Sequence, residues 1–376
     1  MKASAVGSII IFLSVPVLGV EPASSEKPGK PGKPGLLPPK AKLVLDEDWS
    51  SGKIDPKRWY ALRKKWGQDN FGVVPENVAL VRDVVGGKRQ RVLRCEAHGD
   101  QYAGPITGQW KRKKRVGGVL VSRQHFASGR FEVMMKIGSA ANPRPKGIVP
   151  AIWTYGYRAV SVPAKLSDNF SRGEPLYHPY LQKWGKGQAF YWSELDFPEY
   201  GKGGKFDRPM YNTFLNSKHL PLTFDVHGAA DGRYHTYTTE WRTGLVPIKG
   251  VKDSQVAKAK GFYWIQDKAV DFGLYFGNPL KRLGRDRYAV CSGLTARHWI
   301  DNRFIGENTV FVPSMSGQLN LGVWLPKWAG PAPWKTAAVY FARIRVWQYD
   351  DPGDVLGILT EDITDNFGKD GQPLRR

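Results

Sequence analysis

The sequence contains very little cysteine, and this scarcity excludes whole classes of protein. Among its 376 residues there are only 2 cysteines, Cys95 and Cys291, which lie far apart. Two cysteines cannot build a disulfide framework or a cysteine-based zinc cluster. One disulfide bond between them stays open at this point, and two buried free thiols are the preferred interpretation.

Long hydrophobic segments are also lacking after the N-terminus. No segment beyond residue 20 reaches the roughly 18 apolar residues that a membrane-spanning helix needs. Residues 1–20 combine Lys2 with an apolar run over residues 9–13, which predicts a signal peptide, with an uncleaved anchor as the alternative. We therefore expect a secreted or periplasmic protein without stable membrane insertion after cleavage.

The domain boundaries follow from composition. Residues 21–42 include three Lys-Pro-Gly units over residues 27–35, which predict a linker without a core of its own. A single domain is predicted over residues 43–350, followed by a C-terminal extension over residues 351–376. We expect a monomer.

Helical periodicity is absent from every long run, whereas alternating patterns typical of β-strands recur. Turn residues separate them, as in an all-β sandwich or jelly roll. The strand-like segments are Arg91–Ala97, Gly118–Arg123, Gly129–Ile137, Tyr234–Trp241, Gly261–Trp264, Gln318–Val323 and Val339–Trp347.

The most informative of the predicted strands covers residues 191–200 and carries three acids. Side chains two positions apart share a face of a strand, so Trp192, Glu194 and Asp196 point the same way. Glu199 has the opposite parity. Pro198 is tolerated at a bulge, and one inserted residue there turns Glu199 to the same face.

Crowded carboxylates raise one another's pKa, which keeps one of them protonated near neutral pH. An ionised and a protonated carboxyl together provide the nucleophile and the acid of glycosidic cleavage. A separation of roughly 5–5.5 Å between the two carboxyl groups gives retention of the anomeric configuration, and a separation of roughly 6.5–9.5 Å gives inversion. Long side chains lean along a strand, so we predict the shorter gap and retention. The alternative is an edge strand carrying acids against aggregation.

The segment Glu194-Leu195-Asp196-Phe197-Pro198-Glu199 resembles the Glu-x-Asp-x-x-Glu signature of glycoside hydrolase family 16. Further similar segments follow in the family's order between residues 43 and 350. The resemblance implies a jelly-roll sandwich of two antiparallel sheets with a concave cleft for β-linked glucans or galactans. The similar segments lie at residues 44–49, 55–59, 118–122, 128–132, 150–153, 231–241, 318–322 and 342–347.

The resemblance also implies roles for single residues. Glu194 is the expected nucleophile, Glu199 the acid and base, and Asp196 the partner that hydrogen-bonds Glu194. Most tryptophans of a sandwich belong to the core, and His235 is nearly as well explained as a buried histidine with satisfied hydrogen bonds. The expected sugar-binding residues are Trp153, Trp192, His235, Asn320, Trp324, Trp328 and, on weaker similarity, Asn77.

The same resemblance also bears on whether the protein binds a metal ion. Many members of the family bind Ca²⁺ partly through an aspartate in the final strand, and the matching position here is Ala342. A structural calcium site is therefore doubtful. We predict no cofactor and no metal requirement.

Positive charge is in excess, with 56 basic against 34 acidic residues and a net charge of +22. Six lysines and two glutamates precede residue 43, so +18 remains in the folded part. Such a field attracts polyanions, although solubility alone also explains it. Lys111–Arg115 is predicted as a clamp for sulfate or carboxylate, or else as a solvated loop.

Insertions at residues 155–190 and 274–312 are predicted as ordered loops that build cleft walls.

Together these features predict an endo-acting retaining hydrolase of an anionic algal galactan such as carrageenan, porphyran or agar. A neutral β-1,3-glucan hydrolase and a transglycosylase remain open, as does a lectin-like module without catalysis. A nucleic-acid binder would explain the charge but neither the acidic strand nor the signal peptide, so we expect no nucleic acid.

Overall fold

The computed structural model describes residues 33–65, 69–160, 182–184, 188–216, 218–259, 261–265, 278–356, 366–367 and 373–374. The predicted signal peptide and residues 21–32 of the predicted linker lie outside the described residues. So do residues 161–181 and 185–187 of the first predicted insertion, and most of the C-terminal extension.

Within the described residues, the strands form two large antiparallel sheets and one small ladder. The 11 strands of the larger sheet are β1 (Lys42–Glu47), β3 (Val78–Val85), β4 (Lys88–His98), β6 (Gly129–Ile137), β12 (Tyr234–Ile248), β13 (Val256–Ala259), β14 (Phe262–Ile265), β15 (Leu280–Gly284), β16 (Arg287–Ile300), β17 (Arg303–Asn308) and β19 (Thr336–Gln348). The 8 strands of the smaller sheet are β2 (Trp59–Ala61), β5 (Gly118–Phe126), β7 (Val149–Val160), β8 (Gln182–Trp184), β9 (Gln188–Glu199), β10 (Met210–Leu215), β11 (Lys218–Thr223) and β18 (Gly317–Trp324). The remaining pair is β20 (Asn366–Phe367) with β21 (Pro373–Leu374).

The order of strands places the acidic strand inside the smaller sheet. That order is β11-β10-β9-β7-β18-β5-β2, with β8 pairing on β9. The central path of the larger sheet is β16-β12-β6-β19-β4. Because β9 has a neighbour on each side, its backbone groups are bonded and its side chains are held in register.

The core lies between the two sheets and is built by alternation. Phe131, Val133 and Met135 of β6 point into it from the larger sheet, and Leu319 and Leu321 of β18 from the smaller one. Residues of opposite parity face outward, which leaves the outer face of the smaller sheet free for polar groups. The predicted fold class, an all-β jelly-roll sandwich of two antiparallel sheets, is confirmed.

The prediction of cleft-wall loops at residues 274–312 is wrong for the described part of this segment. Residues 280–308 form β15, β16 and β17 of the larger sheet, and β16 pairs with β12 along its length. Arg297 forms an ion pair with Glu307, with 2.9 Å between Nε and Oε2. In β16 the exposed Arg297 stands between the buried Ala296 and His298, as expected for a strand with one exposed face.

Cys95 and Cys291 are both free and buried, in β4 and β16. The preferred interpretation of two thiols therefore matches the structure.

Ala342 is buried in β19. Among the described residues, no three His, Cys, Asp or Glu side chains are grouped to hold a metal ion. The described part of the chain also contains no helix of the length and hydropathy needed to span a membrane.

Candidate active site

A bulge in β9 gathers the three acids on one face. Asp196 pairs with Trp153 of β7, and the next aligned pair is Glu199 with Ala151, so β9 contains one extra residue. The pairing with β10 shows the same insertion between Leu195 and Glu199. Because Pro198 has no N–H to donate, it fits a position where the ladder is interrupted. The bulge predicted from the sequence is present, and it turns Glu199 to the face of the other two acids.

Glu194 is held by an aromatic pair. The indole Nε1 of Trp192 donates a hydrogen bond of 2.8 Å to Glu194 Oε2. The Trp192 ring stacks on Phe214, with 4.8 Å between ring centroids and 20° between the planes. Phe214 lies opposite Glu194 in the β9–β10 ladder. Trp192 is therefore beside Glu194 as its parity predicted, and its ring is fixed by a neighbour that the sequence did not indicate.

Asn212 connects the other two acids. Its Nδ2 donates to Asp196 Oδ2 at 2.7 Å and to Glu199 Oε2 at 3.2 Å. Glu199 Oε1 accepts a further hydrogen bond of 3.3 Å from the indole of Trp324. Sequence reasoning missed Asn212, although it has the same parity in β10 as Phe214. The amide keeps two carboxyl groups within two hydrogen-bond lengths of each other.

The electrostatics of the acid cluster (Glu194, Asp196 and Glu199) favour protonation. Burial raises the pKa of Asp196 to about 7, although hydrogen bonds involving Asn212 and Glu194 act in the opposite direction. Burial, followed by the charge of Asp196, raises the pKa of both Glu194 and Glu199 well above the usual range. Near neutral pH the cluster therefore shares protons among its members, and its titrations are linked.

The acid cluster lines a cavity of about 680 Å³ on the smaller sheet. Sugar rings stack on aromatic side chains through their apolar faces, so this wall suits a carbohydrate. Four of the predicted sugar-binding residues belong to it, and Trp324 and Trp328 meet edge to face at 5.6 Å. The aromatic members of the wall are Trp153, Tyr155, Trp192, Phe214, Trp324 and Trp328.

Three lysines, Lys64, Lys65 and Lys202, also line the cavity. Lys64 is 4% exposed, whereas Lys202 is exposed. The charge of Lys64 acts to lower the pKa of Glu194, and that of Lys202 acts to lower the pKa of Glu199. Lys64 and Lys65 belong to the cationic run Arg63–Lys65, which sequence reasoning did not single out, and they reach the cavity only through the folding of the chain.

The structure contradicts the expected position of His235 near the carboxylates. His235 lies in β12 of the larger sheet, between Asp231 and Asp301. Its Nε2 is 3.0 Å from Asp231 Oδ1, and its Nδ1 is 2.6 Å from Asp301 Oδ2. Both ring nitrogens are therefore engaged in the opposite sheet.

The two predicted asparagines do not line the cavity. Asn320 is buried in β18 next to Trp153, and its Nδ2 donates to the Gln318 carbonyl at 2.8 Å. Asn77 is buried before β3, where its Nδ2 donates to the carbonyls of Val116 and Gly117. Both side-chain amides therefore bond to backbone carbonyls of the sandwich.

The cationic run Lys111–Arg115 is also outside the lining of the cavity. Arg115 contacts Asp100 and the carbonyl of Gly330, and the four residues before it are exposed. Gly330 follows the turn that carries Trp328. Arg115 therefore contacts the end of this turn, and among the described residues the cations that line the cavity are the three lysines.

No family model and no curated protein sequence matches this chain. Solved structures with a similar fold include LamAcat from Zobellia galactanivorans, at 17% identity and a TM-score of 0.46, covering 81% of this chain and 97% of that one. The laminarinase catalytic domain from Thermotoga maritima has 14% identity and a TM-score of 0.46, covering 82% and 99%. A glycoside hydrolase family 16 endo-glucanase from Bacteroides ovatus has 14% identity and a TM-score of 0.45, covering 81% and 99%. That enzyme belongs to the family whose signature the acidic strand resembles.

Proposed function

We propose that this protein is an endo-acting glycoside hydrolase that cleaves a β-linked polysaccharide with retention of configuration. The observation that carries the proposal is the convergence of Glu194, Asp196 and Glu199 on one face of β9, inside an aromatic cavity. A sandwich has no structural need for three acids that raise one another's pKa. General acid catalysis by a carboxyl group does need such a raised pKa.

The chemistry follows in two steps, with roles taken from the resemblance. Glu194 attacks the anomeric carbon and forms a glycosyl ester while the bond to the leaving sugar breaks, and Glu199 donates its proton to the leaving oxygen. Glu199 then takes a proton from water, which attacks the same carbon and releases Glu194. An indole N–H donates to each glutamate, from Trp192 to Glu194 and from Trp324 to Glu199, and each bond favours the ionised form of its partner.

The hydrogen-bond network supports the retaining mechanism. Asp196 shares a hydrogen bond with Glu194, and Asn212 joins Asp196 to Glu199. Both glutamates are thus connected to the group between them, which favours the short separation of roughly 5–5.5 Å that retention requires. Proton NMR of the first product formed tests this point, since the β-anomer must appear before mutarotation.

For the substrate we propose an anionic galactan of algal type, such as carrageenan, porphyran or agar. The net charge of +22 and the lysines of the cavity support this choice. A neutral β-1,3-glucan would gain nothing from these charges. Equal turnover of a sulfated galactan and its desulfated form would remove the anionic substrate and leave the glycosidase in place.

The decisive experiment for the activity is release of reducing ends from a panel of purified β-linked polysaccharides, neutral and anionic. Endo-action predicts a rapid fall in polymer length at low product yield. Transfer of the glycosyl group to added oligosaccharides would identify a transglycosylase. Absence of any cleavage, together with tight binding, would favour a lectin-like module.

Export, a monomeric state and independence from metal ions are part of the same proposal. The buried Ala342 supports the last of these, because alanine offers no ligand at the position where many members of the resembled family have an aspartate. Activity that persists after treatment with EDTA, and a single-chain mass in solution, are the expected outcomes.

A further inference from the structure

An exposed tryptophan stands in a cationic loop outside the cavity, and the proposed reaction uses neither. Trp110 is 50% exposed, and the next four residues, Lys111–Lys114, are all exposed cations. The Trp110 ring meets Phe71 edge to face, with 6.4 Å between the ring centroids. The guanidinium group of Arg112 lies over Phe71, 5.7 Å from the centroid of the ring. Phe71 therefore holds the indole and one of the cations on the same part of the surface.

The loop Gly108–Arg115, called here the Trp110 loop, has a defined backbone. The Gly108 N–H donates to the Arg112 carbonyl at 2.7 Å, and the Phe71 N–H donates to the Arg115 carbonyl at 3.0 Å. Trp110 adopts left-handed backbone geometry with a φ of 53°, and the following residue has a φ of 56°. A bulky side chain rarely adopts this conformation, because it costs free energy. The fold thus holds the indole at the surface in a strained loop and buries only half of it.

The cations Lys111–Lys114 have no carboxylate partner. Among the described residues, none of the four forms an ion pair. The acids of the adjoining segments are paired with other cations, Asp100 with Arg115 at 3.1 Å and Asp69 with Lys327 at 3.0 Å. Like charges at this density repel one another, so an anion that lies across them relieves the repulsion.

The Trp110 loop adjoins a wall of the cavity. Arg115, at the end of the loop, donates to the Gly330 carbonyl at 3.2 Å, two residues after Trp328, which lines the cavity. Lys327, next to Trp328, pairs with Asp69 in the segment that leads to the contact between Phe71 and the loop. A polysaccharide that extends out of the cavity past Trp328 can therefore reach the Trp110 loop.

We propose that the Trp110 loop binds an anionic polysaccharide outside the cavity, with a sugar ring stacked on Trp110 and sulfate or carboxylate groups bound by Lys111–Lys114. The inference rests on the proposed function for the identity of the ligand, and it adds a second contact surface for the same polymer. Arg112 offers two parallel N–H groups to an oxyanion, whereas the lysines act as point charges. An endo-acting enzyme gains from such a surface because it keeps a long chain attached between cleavage events.

Solubility is the competing role for the cations, but it explains neither the indole among them nor the left-handed backbone that keeps the indole at the surface. Nucleic acid is the competing ligand, since bases also stack on aromatic rings beside cations. The acid cluster of the adjoining cavity disfavours it, because carboxylates repel phosphate groups.

Binding measurements test the inference without relying on turnover. In a Glu194→Gln background, affinities are measured for carrageenan, desulfated carrageenan, alginate and single-stranded DNA, which separate sulfate, carboxylate and phosphate. Trp110→Ala removes the ring, and Trp110→Phe keeps an aromatic face. One triple serine variant removes three charges from the loop, and a second removes three from exposed lysines elsewhere as the matched control. The loop positions are Lys111, Lys113 and Lys114, and the control positions, which do not line the cavity, are Lys53, Lys57 and Lys88.

At about 0.15 M salt, exposed charges more than about 8 Å apart are largely screened, so the two triple variants should differ. The loop variant should weaken binding of one charged polysaccharide about tenfold, with a shallower dependence on salt. Desulfated carrageenan should change far less. Trp110→Ala should weaken the same ligand about threefold or more, Trp110→Phe should retain most of the affinity, and the control variant should change it little.

Equal weakening by the two triple variants would overturn the inference, as would unchanged affinity for both charged polysaccharides or no effect of Trp110→Ala. Binding of the DNA that is tighter than that of either charged polysaccharide, and lost in the loop variants, would also overturn it. Failure of the proposed function shows separately, as no release of reducing ends from any polysaccharide by the wild-type protein.

Discussion

Two groups of carboxylates lie in opposite sheets of this protein and are held in opposite ways. In the acid cluster of the smaller sheet, the carboxylates lie beside one another and accept hydrogen bonds from indoles and an amide, and the charges of nearby lysines do not outweigh this crowding. In the His235 cluster of the larger sheet (Asp231, Arg233, His235 and Asp301), each carboxylate contacts a cation. Arg233 Nη2 is 2.6 Å from Asp231 Oδ2, and His235 lies between the two aspartates.

The pKa values follow this difference in partners. Burial acts to raise the pKa of Asp231, but hydrogen bonds from His235 and Arg233 outweigh it and lower the pKa to about 2. For Asp196, burial wins over the hydrogen bonds and raises the pKa to about 7. Carboxylates that form ion pairs stabilise the fold, whereas carboxylates whose burial and crowding outweigh the charges of nearby lysines store a proton that chemistry can use.

The largest effect is expected from removing an acid of the cluster. Glu194→Gln or Glu199→Gln should lower kcat about 10⁴-fold or more on any substrate found, because each removes a reacting group. The matched control is Asp231→Asn, the same chemical change in the His235 cluster, which should retain activity. Binding of the polysaccharide should persist in both glutamine variants. Retained turnover in both would exclude the proposed mechanism.

Removing a carboxylate of the acid cluster should stabilise the protein, although it lowers the activity. Asp196 has a folded-state pKa of about 7 against an ordinary value of 3.8, so folding is penalised as pH rises through this window. Asp196→Asn removes the penalty and should raise the free energy of unfolding at pH 8 on the order of 2–4 kcal/mol. At pH 4 the change should be small. Urea unfolding at both pH values measures it, and a variant less stable than wild type at pH 8 would contradict the predicted crowding.

A smaller effect is expected from Asn212, which positions two of the acids. Asn212→Ala should lower kcat about 10- to 100-fold through misplacement of Glu199. The amide favours the ionised form of Glu199, so its loss raises the pKa of that group further. The alkaline limb of the kcat/KM profile should therefore move to higher pH. The exposed Asn142→Ala is the control, and a loss of activity without any shift of this limb would assign Asn212 a structural role only.

The acidic strand could be predicted from sequence because its signal is local. The alternation of Trp192, Glu194 and Asp196, with Pro198 at the bulge, lies within ten residues and needs no knowledge of the rest of the chain. The all-β fold likewise follows from repeated short-range alternation. Asn212 was missed because an asparagine in a strand is informative only once the pairing of β10 with β9 is known.

Long-range pairing also explains the incorrect expectations. His235 has the sequence context expected near the carboxylates, but β12 pairs with β6 and β16, which places it in the opposite sheet. The run Lys111–Arg115 shows that a high density of charge along the sequence does not predict which part of the fold the charged side chains face. Lys64, in the shorter cationic run Arg63–Lys65, lines the cavity together with the acids, whereas no residue of Lys111–Arg115 does.

The smallest expected effect concerns the His235 cluster and has its own pH signature. Burial acts to lower the pKa of His235, but Asp301 and Asp231 outweigh it and raise the pKa above 6.5. The stabilisation from His235 is therefore fully present below pH 6.5 and is lost as pH rises through the folded-state pKa. His235→Gln should lower the free energy of unfolding by about 1 kcal/mol at pH 5 and by less at pH 9, since partial exposure weakens such pairs. Urea unfolding at the two pH values measures this difference, with the exposed His219→Gln as the control. An equal loss at both pH values would show that the imidazole contributes packing alone, and the contrast between the two carboxylate groups would then rest on the acid cluster only.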